Sequence, residues 1–248
     1  MEIQQLDILL RLLIAHLLAD FVFQTDGIVK RKNSNGFRSG SFYIHLLTVG
    51  LLTYVLLAQW ANWYAPLVLV IAHGFIDQAK VFVKRDNAFV FVSDQLLHFI
   101  SIVWVWFWIT ENTFSDLVVQ FFAQHSWNEK YLVIFIAYIL LTLPSGVLVG
   151  YLTKQWQSDI PKANDESLKN AGKWIGVIER FLILSFILMN QWTPIGFLLA
   201  AKSVFRFGDL KGKEDQKKTE YILIGTLMSF SIAIIHGLTL QYLIHNFW

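Results

Sequence analysis

Seven side chains able to bind a metal or carry a proton stand in otherwise apolar stretches: His16, Asp20, His45, His73, Asp77, Asp94 and His98. An ionisable group inside a membrane-spanning helix is costly, by about 2.5–3.5 kcal/mol for Asp on insertion scales, so each needs a partner or a task. His16 with Asp20, His73 with Asp77, and Asp94 with His98 are each four residues apart. That spacing puts both members of a pair on one helical face. The chain has no Cys, which excludes thiolate ligands, disulfides and cysteine nucleophiles. Any metal must therefore be held by nitrogen and oxygen, a donor set that suits Zn, Mn or non-haem Fe. Seven donors exceed one tetrahedral set, leaving room for two metals or for carboxylates that orient the ligands from outside.

A divalent ion held there would support hydrolysis, by lowering the pKa of a bound water toward about 7 and polarising the scissile bond, while a spare carboxylate takes the proton. Asp20 and Asp94 are the candidate catalytic bases. Two other functions compete with a metal-dependent hydrolase. In a transporter the same groups would bind a metal ion or relay protons. In a non-catalytic membrane partner or regulator they would only fix helix packing, and His45 taken alone fits that role equally well. Pro144-Ser145-Gly146 lacks the strand context of a nucleophile elbow and reads as a helix kink.

The elements that must position these residues are helices in lipid. Of the 248 residues 55% are hydrophobic and only 15% charged, which lies outside the soluble class. Ten Trp, eight Tyr and 21 Phe supply the aromatic load expected where helices meet headgroups. The net charge of +2, with basic residues read as confined to loops, gives no reason to expect nucleic acid. Runs of roughly 20 apolar residues, enough to cross the hydrocarbon core, occur at 6–24, 41–60, 63–83, 87–110, 130–152 and 219–245. Shorter runs at 174–190 and 194–208 flank Asn190, Gln191 and Pro194, and the second could be re-entrant. The expected fold is all-α: a polytopic membrane bundle of about eight hydrophobic segments, seven or eight of them spanning. The first run lacks a small-residue cleavage pattern, so it is taken as a span and not a removable signal.

Lys30, Arg31, Lys32 and Arg38, then Lys84 and Arg85, then the lysines of 154–173 and of 211–218 mark alternate loops as cytoplasmic. Eight spans with both termini outside satisfy that pattern. By helical rise, Asp20, His45, Asp77 and Asp94 fall roughly 6–10 Å from the cytoplasmic helix ends, with the other histidines about a turn deeper. All seven can meet in one layer. The pair order supports this, since the first and third spans read His then Asp and the oppositely directed fourth reads Asp then His. The expected organisation is an N-terminal bundle carrying the site (1–152), a cytoplasmic linker (153–173) and C-terminal helices (174–248).

A second charged group comprises Glu179, Arg180, Lys202, Arg206, Asp209 and Glu220. Lys202 and Arg206, four apart, are candidates to bind a phosphate or lipid-headgroup substrate, while Glu179 and Glu220 offer them ion pairs. Asp7 with Arg11 reads as a structural pair. His125, His236 and His245 lie toward the outer side and are not expected to be ligands.

The motifs His16-Leu-Leu-Ala-Asp20-Phe, His45, His73-Gly-Phe-Ile-Asp77 and Asp94-Gln-Leu-Leu-His98 resemble those of an uncharacterised family of bacterial membrane proteins, a domain of unknown function. Gly172-Lys-Trp-Ile-Gly176, Ala201 to Asp209 and Glu220 to Thr226 look like its longer members. The resemblance implies a multi-pass protein of the bacterial inner membrane and brings no activity with it. The ligand style is also loosely similar to that of membrane-bound, phospholipase-like metal hydrolases.

Overall fold

The computed structural model describes residues 5–83, 85–111, 113, 115–116, 126–157, 171–207 and 213–248, and among the described residues there is no strand. The first segment forms α1 (Gln5–Leu17), which runs directly into a π-helical turn at Leu18–Phe23. There follow α2 (Asp26–Asn35), a 3₁₀ turn (Gly36–Arg38), α3 (Gly40–Leu57), α4 (Tyr64–Val83) and α5 (Ala88–Thr110). The rest comprises α6 (Trp127–Thr142), α7 (Pro144–Gln157), α8 (Ala171–Leu188), α9 (Thr193–Phe207) and α10 (Lys213–Phe247).

Among the described residues each expected hydrophobic segment is mostly helical, and five helical stretches are long and apolar enough to cross a membrane: α3, α4, α5, α6 with α7, and most of α10. The other three segments fall outside that set for physical reasons. α1 alone has 13 residues, about 20 Å against a hydrocarbon core of ~30 Å. α8 carries Lys173, Glu179 and Arg180, and α9 has only 15 residues. The basic stretch expected as a loop is corrected, because Lys30, Arg31 and Lys32 lie on α2. An acidic Asp26 in the first turn favours that helix. Gly36, at φ +50°, ends it by donating its N–H to the Lys32 carbonyl.

The chain divides into two compact units, Met1–Ile136 with Phe247–Trp248, and Ala137–Asn246. In the first unit α1, α3, α4 and α5 pack on one another. Their ends near the start of α1 form an apolar layer of Ile8, Leu12, Leu57, Leu69, Val105 and Trp106, which holds helices in lipid by close van der Waals packing and not by expulsion of water. Trp106 ties the layer to the N-terminus by donating its ring N–H to the Gln5 carbonyl at 2.7 Å. A Cβ at Gly50 would lie 2.9 Å from Val70 Cγ2, so the missing side chain lets α3 approach α4 closely, just over a turn from His45. Beyond that layer, polar side chains turn inward and apolar ones outward. Phe75 is 68% exposed, while His73 and Asp77 on either side of it are 4% and 3% exposed. Such outward faces are compatible with contact to a lipid bilayer.

In the second unit the expected kink lies between α6 and α7, at Leu143, where Pro144 has no N–H to give the preceding turn. The carbonyls there are taken up from elsewhere. Arg180 donates from Nε to the Leu141 oxygen at 2.8 Å, from Nη2 to the Thr142 oxygen at 2.7 Å and from Nη1 to Ser229 Oγ at 3.1 Å. The break expected around Asn190 to Pro194 is present, with Asn190 at φ +57° and its side-chain oxygen accepting from Gln241 at 2.6 Å.

Candidate metal centre

His16 from α1, Asp20 from the π turn, His45 from α3, His73 and Asp77 from α4, and Asp94 and His98 from α5 converge inside the first unit. No side chain among them is more than 9% exposed. All seven residues singled out in the sequence are thus brought together. They form three overlapping groups whose ligand atoms lie within 4.8 Å of one another: His16, His73 and His98; Asp20, His45 and His73; Asp77, Asp94 and His98. Each group could hold a metal ion.

The middle group is closely spaced. His45 Nε2 and His73 Nε2 are 2.9 Å apart, and Asp20 Oδ1 lies 3.3 Å from the first and 3.4 Å from the second. Donors on a tetrahedral ion with bonds of ~2.0–2.1 Å are about 3.3 Å apart; both carboxylate–imidazole separations match this, while the two imidazole nitrogens stand at hydrogen-bond distance and would part slightly around an ion. Asp77 Oδ2 stands 3.6 Å from both imidazole nitrogens. Asp20 Oδ1, Asp94 Oδ1 and His98 Nε2 are buried without a hydrogen-bond partner, and a buried polar atom left so costs about 1–3 kcal/mol. The donor set therefore fits a cation on two counts, spacing and unsatisfied atoms.

Local structure explains how Asp20 gets there. In the π turn the backbone is wound more widely than in an α-helix. Asp20 Oδ2 sits 4.0 Å from His16 Nδ1, while its Oδ1 faces His45 and His73. His16 Nε2 is 3.3 Å from the Gln95 side-chain oxygen, and Gln95 Nε2 donates to Asp94 Oδ2 at 3.2 Å. The four imidazoles also run in sequence. Ring centroids are 5.0 Å apart for His45 and His73, 4.1 Å for His73 and His98, and 4.9 Å for His98 and His16. A cavity of about 10 Å³ lined by His16, His73, His98, Thr53 and Ser101 adjoins the rings, near the minimum that admits one water.

Two lysines were not anticipated. Lys32 Nζ lies 2.7 Å from Asp77 Oδ2, and Lys80 Nζ 2.7 Å from Asp94 Oδ2. This corrects the reading of the basic residues as confined to loops, because the Lys32 side chain is 7% exposed and Lys80 lies within α4. A charge inside the 63–83 run was a visible signal for Lys80. Lys32 had none, since its contact depends on α2 folding back against a residue 45 positions away. Asp20 is the cluster carboxylate paired with neither lysine.

The remaining candidates lie elsewhere. Lys202 Nζ is 2.6 Å from Glu179 Oε2, the ion pair weighed against substrate binding. The Arg206 side chain lies outside the described residues, as do His125 and Asp209. His236 and His245 join no group with metal-ligand spacing among the described residues. Asp7 and Arg11 are paired at 2.7 Å, as expected.

No curated protein and no solved structure matches the chain. The match to a family model stops short of the C-terminal motifs. Residues 8–128, which carry all seven cluster residues and both lysines, match DUF3307, described as a protein of unknown function, consistent with the uncharacterised family that the N-terminal motifs resemble.

Proposed function

We propose that the protein is a multi-pass protein of the bacterial inner membrane that binds a divalent metal, Zn, Mn or Fe, in the His/Asp cluster, and that it hydrolyses a membrane-embedded substrate there. The observation that carries the proposal is the set Asp20, His45 and His73, with donor atoms 2.9–3.4 Å apart and a carboxylate oxygen lacking any hydrogen bond. A bound ion would supply Lewis-acid polarisation of the reacting group. The chain's own residues would supply the rest. Asp94 Oδ1 and His98 Nε2, 3.7 Å apart and both unpartnered, would accept a proton. Gln95 would hold His16 and Asp94 in register. Lys202 and Arg206 are kept as a headgroup or phosphate contact, to be tested with Lys202 already engaged by Glu179.

Transport of a metal ion or protons is favoured by a different observation, the run of four imidazoles with centroids 4.1–5.0 Å apart. The sidedness we propose puts both termini outside and the cluster toward the cytoplasm, supported by alternating basic connections. The test begins with metal content of detergent-purified protein, wild type beside His73→Ala and Asp20→Asn. Metal in the wild type alone supports the site. Hydrolysis of lipid or phosphoester substrates by loaded protein then supports the enzyme, and uptake into proteoliposomes without hydrolysis supports the transporter. Wild-type protein that takes up none of the three metals on reloading would leave a polar network in a non-catalytic membrane partner, which tolerates Asp77→Asn and His98→Gln.

A further inference from the structure

We infer that Lys32 and Lys80 stand in for a second cation, so that the cluster takes one divalent metal and takes it at Asp20, His45 and His73. The inference rests on the metal reading above and deepens it.

Seven ligands of this kind would ordinarily suit two metals. The lysines decide otherwise. Of the three ligand groups, only that of Asp77, Asp94 and His98 draws two carboxylates, and each of those carboxylates already has an ammonium at 2.7 Å. A second ion would have to enter beside both ammoniums, whereas an ion at Asp20, His45 and His73 faces Lys32 alone, and that across Asp77 Oδ2, 3.6 Å from both imidazole nitrogens. The remaining carboxylate, Asp20, has no lysine; its Oδ1 is bare, buried, and at metal-ligand spacing from two imidazoles. The group of His16, His73 and His98 contains no carboxylate and shares His73 with the Asp20 group, so an ion there would compete with the first for that imidazole.

Charge balance gives the same count. Imidazoles that bind metal are neutral, so the three aspartates and two lysines leave one negative charge in the cluster. One divalent ion converts this to a single positive charge. Two would leave three uncompensated positive charges among apolar helices, where such charge is expensive. Lys32 is held for this task by its own backbone, since Gly36 N–H closes α2 on the Lys32 carbonyl, and Gly36 sits against the Gln78 side chain on α4.

The experiment counts zinc. Full-length protein in detergent is stripped with chelator, reloaded with Zn²⁺ alone, desalted, and its zinc per chain measured by mass spectrometry. One equivalent is expected in the wild type and in Asp94→Asn, none in Asp20→Asn, and two in the Lys32→Met/Lys80→Met double variant. Two equivalents in the wild type would overturn the single-metal assignment while leaving the metal reading intact. A double variant that stays at one would overturn the role of the lysines, and loss in Asp94→Asn with retention in Asp20→Asn would overturn the choice of ligands. No zinc in the wild type would sink this inference together with the metal reading. Should the double variant fail to elute as a single species, Lys32→Met and Lys80→Met are loaded singly: more than one equivalent in either supports the role of the lysines, and one equivalent in both overturns it.

Discussion

Breaking the Lys32–Asp77 pair tests whether the cluster is an electrostatically closed unit. The side chains are 7% and 3% exposed and 2.7 Å apart. At an effective dielectric of about 20, two unit charges at that separation attract by about 6 kcal/mol, and desolvation of both ions removes much of this. What remains is an asymmetry. Taking away one partner strands the other as a buried charge, which costs about 3–5 kcal/mol, whereas removing both together is far less costly. Lys32→Met and Asp77→Asn should therefore each destabilise metal-free protein by about 3–5 kcal/mol, while the double variant costs less than either alone. The coupling should reach at least the 2–3 kcal/mol typical of strongly interacting neighbours. Equilibrium unfolding in mixed micelles, followed by fluorescence of the ten tryptophans in excess chelator, measures all four proteins. Additivity within about 0.5 kcal/mol would refute the reasoning, because it would mean that water or another group already neutralises each ion.

Three further predictions follow from other contacts. Arg180→Met removes donors to the Leu141 and Thr142 carbonyls and to Ser229. It should cost about 3–5 kcal/mol, and Arg180→Lys should recover only part of that, because an ammonium lacks the planar fork; thermal unfolding in detergent reads both. Gly36→Ala forces a side chain onto a residue at φ +50°, with its Cβ 2.8 Å from Gln78 Oε1. It should cost about 1–3 kcal/mol, and the part of that cost that runs through Lys32 should disappear in a Lys32→Met background while the backbone and Gln78 clash part remains. The Cys-free sequence permits single-cysteine topology mapping: Ser34→Cys should react with an impermeant maleimide only from the cytoplasmic side and Ala61→Cys only from the opposite side, and labelling of both from one side would overturn the proposed sidedness.

Much of this was readable from residues alone. Three His/Asp pairs at a spacing of four announce their shared faces because helical periodicity is local, and opposite pair order on oppositely directed helices predicts that they meet at one depth. The kink at Pro144 and the break after Asn190 were likewise legible, since a missing N–H and a polar interruption act within one turn. Spans were less so. α1 passes into a π turn at Leu18–Phe23, and no residue type in that run marks where a helix widens, because the choice depends on what Asp20 gains by facing His45 and His73.

The partners of the charges belonged to the tertiary structure. Lys32 looked like one of several loop cations until α2 brought it to Asp77, and Lys80 became part of the site through Asp94, 14 residues away on the next helix. Arg180 had no partner legible in the sequence, and it gives its donors to the broken α6–α7 backbone while Glu179 takes Lys202, one of the pairings its charge had offered. The composition and spacing of apolar and ionisable residues determined that this is a helical chain with polar groups turned inward. Which charge neutralises which was decided only in three dimensions, because long side chains reach partners set by packing between helices, and in a buried cluster each ion must find some counterpart.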